Sequence, residues 1–105
     1  MIAIGAYRVH EGNDEQFLEA LRQDLVTMRA EGLISDWPAM ILKAGPDVYL
    51  QLVEWADADA PARSSANERV MAIWTKKRTL ADYLSLSEVP GADRLFPSFE
   101  EIPTI

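Results

Sequence analysis

Three stretches of this chain are apolar at both odd and even positions. They are Ile2-Ala3-Ile4-Gly5-Ala6-Tyr7-Arg8-Val9, Ala39-Met40-Ile41-Leu42 and Val48-Tyr49-Leu50-Gln51-Leu52-Val53-Glu54-Trp55. A strand with one side in water alternates apolar and polar residues, so these predict a sheet covered on both faces. Two helix-like stretches are available as cover, and they dress only one face. Leaving a large apolar side chain in water forfeits roughly 1.5–3 kcal/mol. No further sequence remains for a second sheet, so the pattern predicts an obligate homodimer in which a second copy covers the other face.

Phe17, Leu21, Leu25 and Met28 recur at helical spacing, with Leu18 broadening the stripe. Asn13 with Gln16 reads as a capping box, Asp14 and Glu15 suit the first turn, and Gly32 is placed to end the helix. Ala44-Gly45-Pro46-Asp47 links the second and third strands as a hairpin, and 57–63 reads as a loop. Ser65-Ala66-Asn67-Glu68 reads as a second capping box, opening a helix whose inner side is Val70, Ile73, Trp74, Leu80, Tyr83 and Leu84. Lys77 interrupts that stripe, which predicts a kink or change of partner near Thr79. The proline-flanked tail Leu95–Pro103 predicts a short edge strand, because proline cannot donate within a central ladder. Strand-helix-strand twice, with a hairpin joining the inner strands, is the α+β, ferredoxin-like βαββαβ arrangement with an antiparallel sheet.

Composition narrows the partners. The chain has 105 residues, 49% hydrophobic and 26% charged, and reads as one soluble globular domain over 1–105. A net charge of −7 repels phosphate backbones, and the only basic cluster, Lys76-Lys77-Arg78, spreads over most of a helical turn. Nucleic acid is therefore not an expected partner. The absence of cysteine removes disulfides, thiolate metal sites and thiol nucleophiles, and fits a reducing cytoplasm. The N-terminal stretch does not read as a secretory signal, and no apolar run reaches the 18 or so residues that span a bilayer.

Several of these segments together resemble the antibiotic biosynthesis monooxygenase family of the dimeric α/β-barrel superfamily. The carrying residues are the opening apolar strand, the turn and helix start His10-Glu11-Gly12-Asn13-Asp14-Glu15-Gln16-Phe17, the third strand ending Leu52-Val53-Glu54-Trp55, and the helix Ser65 to Trp74. The resemblance covers nearly the whole chain, and its motifs mark the fold more than any catalysis. It implies two sheets packed face to face across a dimer, with one pocket per subunit between sheet and helices. The family's activities vary. Some members oxygenate aromatic or quinone-like molecules without metal or cofactor, related members degrade haem, and many have no known reaction. The resemblance thus implies the first as one activity among several. Haem degraders of this group use an asparagine on the first strand, a tryptophan ending the third and a histidine on the second helix. Trp55 matches the tryptophan, Tyr7 stands at the asparagine position, and no histidine occurs in the second helix. Haem is therefore not expected.

Chemistry-bearing residues are few. His10, the only histidine, lies at a strand end, and alone it builds no zinc site. There is no G-x-S-x-G and no phosphate-binding glycine loop. By period two, Tyr49, Gln51, Val53 and Trp55 share one face of the third strand, beside Tyr7 on the first. Such a mostly apolar wall with a few placed polar groups suits a small-molecule pocket. Met71 and Trp74 on the second helix would roof it. The candidate substrate-binding residues are thus Tyr7, Tyr49, Gln51, Trp55, Met71 and Trp74, with core or interface packing as the alternative for each. Trp37 reads as packing or interface, and Arg8 as lying opposite Tyr7. No general base is visible. The functions weighed are a cofactor-independent oxygenase, a non-catalytic ligand-binding or structural dimer, and a lactone isomerase or comparable barrel enzyme.

Overall fold

The structure, a computed structural model, describes residues 1–105. Strand β1 (Ile2–Val9) leads into helix α1 (Asp14–Ala30), followed by the hairpin of β2 (Met40–Lys43) and β3 (Val48–Glu54). Helices α2 (Ala60–Ser65) and α3 (Glu68–Leu80) then precede β4 (Ala81–Leu84), and β5 (Glu100–Ile102) ends the chain. The strands form one sheet in the order β4-β1-β3-β2-β5, with every neighbouring pair antiparallel. The fold is ferredoxin-like, extended by one edge strand.

Register decides which side chains meet. Ala3, Gly5 and Tyr7 of β1 stand opposite Val53, Gln51 and Tyr49 of β3, and Tyr7 also stands opposite Tyr83 of β4. These residues face α1 and α3. The main core lies between them, with Phe17, Leu21, Ile41 and Val70 fully enclosed. On the sheet's other face, Ala6, Val48 and Leu50 form a second, smaller apolar cluster.

That second face departs from the expectation that no local sequence is left to cover it. The segment after β4 folds back over one end, laying Val89, Ala92 and Phe99 against Ala6, Val48 and Leu50. At the opposite end Ile2 and Ile4 remain 43% and 46% exposed, beside the half-buried Met40 and Leu52. The chain thus covers one end of its own outer sheet face and leaves the other partly open.

Other departures have local causes. The second long helix stops at Leu80, and Tyr83 and Leu84 belong to β4, which pairs with β1. A four-residue strand beginning directly at a helix end carries no turn signal, so its apolar residues read as another helical turn. Of the kink or change of partner expected near Thr79, the change of partner occurs: α3 runs unbroken through Lys77 to Leu80, and from Ala81 the chain pairs with β1. Residues 60–65 are helical rather than loop, with Pro61 in the first turn, where its missing N–H costs nothing. The cap of α3 is Asn67, whose side chain accepts from the Val70 backbone N–H at 3.1 Å, and not Ser65. Asn13 makes no side-chain cap bond. Gly32 does take the left-handed conformation after α1, with φ of 70°. The tail strand β5 lies at the edge beside β2, and Arg22 donates twice to the Pro103 carbonyl at 3.0 and 3.2 Å, fixing the tail against α1. No helix is long and apolar enough to cross a membrane.

Candidate functional site

The most unusual group in the core is an ion pair. Asp24 follows Leu21 by three and precedes Met28 by four, which puts it on the inward stripe of α1. Lys77 lies between Ile73 and Leu80 on the inward stripe of α3 by the same spacing. Their side chains are 1% and 2% exposed, and Lys77 Nζ donates to Asp24 Oδ2 at 3.0 Å. Burying two charges incurs several kcal/mol of desolvation per ion, so such a pair is tolerated only with further hydrogen bonds around it.

Those bonds are present. Gln51 Nε2 donates to Asp24 Oδ2 at 3.1 Å, and the Trp74 indole N–H donates to Asp24 Oδ1 at 3.0 Å. Lys77 Nζ also donates to the Tyr7 hydroxyl at 3.2 Å, while that hydroxyl donates to Gln51 Oε1 at 2.9 Å. No buried side-chain polar atom is left without a partner. The ammonium sits 4.9 Å from the Tyr7 ring centre and 5.9 Å from that of Trp74, within reach of both π faces. Five residues from α1, β1, β3 and α3 therefore form one closed polar network.

Gly5 makes this placement of Tyr7 possible. A Cβ at Gly5 would lie 2.6 Å from the Tyr7 hydroxyl oxygen, closer than a Cβ approaches any non-bonded atom. Without it the phenol lies along its own strand and reaches Gln51, the cross-strand partner of Gly5. Phe17 and Tyr83 hold the ring at 5.1 and 4.9 Å, the latter edge-on. Burial, reinforced by the negative charge of Asp24, drives the Tyr7 phenol far above its ordinary pKa. Tyr7 is accordingly a neutral donor and not a base.

A pocket of about 190 Å³ opens beside the network. Its walls are mainly apolar, from Ala3, Met28, Val53, Trp55, Trp74 and Tyr83, and its polar end consists of Tyr7, Gln51, Asp24 and Lys77. An apolar cavity of roughly 150 Å³ accommodates benzene, so the space suits one aromatic ring with small substituents. Trp55 Nε1 and the Tyr83 hydroxyl take part in no hydrogen bond within the protein, unlike Trp74 Nε1.

Of the residues singled out from sequence, Tyr7, Gln51, Trp55 and Trp74 line this pocket, and Tyr49 and Met71 do not. Tyr49 is one strand pair further along, where its hydroxyl donates to Asp14 Oδ2 at 2.8 Å. Burial, that hydrogen bond and the charges of Asp14 and Glu100 push the Tyr49 phenol up to about 12. Met71 is half-buried against the core, away from the opening. His10 lies outside the pocket, 3.0 Å from Asp82 at the sheet margin. Arg8 faces away from Tyr7, as the strand period requires, 3.7 Å from Asp47 of the same chain. Trp37 is half-buried. No cluster of three or more His, Asp or Glu side chains suited to a metal ion occurs.

Asp24 and Lys77 were missed by sequence reasoning, although the signal was present. Each is the charged residue interrupting the apolar stripe of a long helix, and the two charges are opposite in sign. Neither position alone demands burial, but two facing helices that each carry one such residue imply a pair between them.

No family model and no curated protein matches this sequence. Among solved structures, the chain is similar to a conserved protein of unknown function from Bacteroides thetaiotaomicron, described as a possible oxidoreductase. The two share 19% sequence identity with a TM-score of 0.65, over 79% of this chain and 89% of the other. At that identity the likeness concerns the fold.

Proposed function

We infer that this chain is a small-molecule-binding protein of the antibiotic biosynthesis monooxygenase type, acting as a cytoplasmic homodimer that oxygenates a small aromatic or quinol-like substrate without a bound cofactor. One observation carries the reading: a one-ring apolar pocket ends on a buried ammonium held by Asp24 and Tyr7. The description of the Bacteroides protein as a possible oxidoreductase supports it. In such a reaction a quinol and O₂ yield a hydroxylated quinone and one water, the ring giving up the four electrons that oxygen gains. The protein's part is to seat the ring against Trp55, Trp74 and Met28, to exclude water, and to stabilise negative charge developing on the substrate oxygen. Lys77 is placed for that last role, and the neutral Tyr7 phenol assists as a donor. The dimer reading draws on Ile2 and Ile4, whose exposed side chains at the uncovered end of the sheet suit a second copy.

Oxygen-electrode measurements with a panel of single-ring hydroquinones provide the test. Consumption of O₂ matched by quinone formation is expected, and it should be lost when Lys77 and Asp24 are replaced together. A panel without turnover would leave the second reading, a non-catalytic ligand-binding dimer. That alternative is favoured by the engagement of Asp24 with three N–H groups, which leaves it poorly free to accept a substrate proton.

A further inference from the structure

The polar end of the pocket is lopsided in its hydrogen-bonding capacity. A carboxylate offers about four acceptor positions, and three of Asp24's are filled, by Gln51, Trp74 and Lys77. The ammonium of Lys77 has three hydrogens, two of them directed to Asp24 and Tyr7. The third has no oxygen partner within the protein. Trp55, also on the pocket wall, contributes an indole N–H that bonds to nothing in the fold, and indole only donates. Negative charge is thus answered from three sides, while one hydrogen of the buried ammonium and the Trp55 N–H have no acceptor. The Tyr83 hydroxyl is the one unbonded group on the wall that can accept as well as donate.

Building on the small-molecule reading of this pocket, we propose that Lys77 and Trp55 form a recognition site for an acceptor oxygen, so that the pocket selects ring compounds bearing a carbonyl or an oxyanion over those bearing a hydroxyl or no oxygen. The apolar walls take the ring, and the donors take the oxygen. An alcohol must also place its own hydrogen, for which only the fourth Asp24 position and the Tyr83 hydroxyl remain. A ring without oxygen leaves the ammonium hydrogen unmet. For a quinol-type ligand the site favours the oxyanion and the quinonoid product over the neutral, hydroxyl-bearing form.

Three compounds of nearly equal size test this on the unmodified protein: acetophenone, 1-phenylethanol and ethylbenzene, with binding followed by tryptophan fluorescence and calorimetry. Acetophenone should bind at least about tenfold more tightly than either of the others, the range expected of a hydrogen bond to a charged group. Equal affinities for all three would overturn the proposal while leaving the apolar pocket standing. Binding by none would overturn the proposal and the small-molecule reading together. Turnover plays no part in this test, so it stands apart from the oxygen-consumption experiment. Trp55→Phe keeps an aromatic wall and removes the donor, and should reduce the ratio of acetophenone to ethylbenzene affinity severalfold. The joint change Lys77→Met with Asp24→Asn, which avoids stranding a buried charge, should abolish the preference. A preference unchanged in Trp55→Phe and in the joint variant would overturn the assignment.

Discussion

The two faces of the sheet are finished by different means. Under the helices, the face is closed by large side chains around a network in which every buried polar group is bonded. On the outer face, a smaller apolar cluster is covered by the chain's own return segment at one end and left partly open at the other. The first face therefore holds specific geometry, because each polar atom there has a partner whose loss is costly. The cluster on the second face is hydrocarbon, with charged Arg8 and Glu54 at the ends of its strands, and hydrocarbon packing is tolerant of sequence and indifferent to direction. The first face can thus hold a specific site, and the second leaves apolar surface open at one end.

The sharpest way to break this contrast is to strand one charge under the helices. Lys77→Met leaves Asp24 buried without its counter-ion, and breaking a buried pair in this manner costs about 3–5 kcal/mol. A large fall in the thermal midpoint is the expected outcome. Adding Asp24→Asn removes the stranded charge; its single oxygen can keep the Trp74 bond while its NH2 faces the Gln51 amide, and much of the loss should be restored. Failure of the second change to rescue the first would show that packing of the lysine stem, rather than its charge, is what matters.

Gly5→Ala probes the same face more gently. The new methyl meets the Tyr7 hydroxyl and must push the phenol out of its hydrogen bonds or bend the strand, an overpacking effect of roughly 1–3 kcal/mol. Replacing Tyr7 with phenylalanine in that background removes the clashing oxygen. The glycine substitution should then be much better tolerated, which a double-mutant cycle measures.

Tyr49 extends the contrast to pH. Its folded pKa is raised from 10.0 to about 12, so between those values the folded protein holds a proton that the unfolded chain has released. Stability from this group is complete below pH 10 and falls as pH rises toward 12. Denaturant titrations across that window should show a decline that is shallower in Tyr49→Phe, with the remainder owed to Tyr7 and Tyr83, which are raised in the same direction. At neutral pH the phenylalanine variant should lose only about 1 kcal/mol, the usual net contribution of one hydrogen bond.

Much of the architecture was legible in the chain. Two-sided apolar strands, the Gly45-Pro46 hairpin and the edge prolines led to the antiparallel ferredoxin-like sheet, because strand burial and turn chemistry are local properties. Tyr7, Gln51, Trp55 and Trp74 could be grouped for a similar reason, since period-two alternation and strand pairing place them together. What escaped depended on distant pairing. Lys77 looked like a defect in a helix until Asp24, more than fifty residues earlier, supplied its reason. Tyr83 and Leu84 read as helix because only β1, at the other end of the chain, makes them a strand. The edge strand expected over Leu95–Pro103 forms only at Glu100–Ile102, and the covering role of the segment before it appears only once Val89 and Phe99 meet Val48 and Leu50.

The smallest effect on a single folded chain, and the most direct test of the outer face, comes from Ile4→Ser. Ile4 is 46% exposed and its neighbour Ile2 is 43% exposed, so on an isolated chain the change resembles a surface substitution, within about ±0.5 kcal/mol. If a second copy covers this end, the same substitution places a hydroxyl inside an apolar contact on both sides of a two-fold axis, since an isologous interface repeats every residue. The expected outcome is a sedimentation shift from dimer toward monomer with little change in the circular dichroism of the fold. Leu50→Ser, beneath the chain's own return segment, should behave in the opposite way, losing stability at every protein concentration. Should Ile4→Ser neither dissociate nor destabilise the protein, the open end of the sheet would be ordinary surface, and the pocket beneath the helices would belong to a self-sufficient monomer.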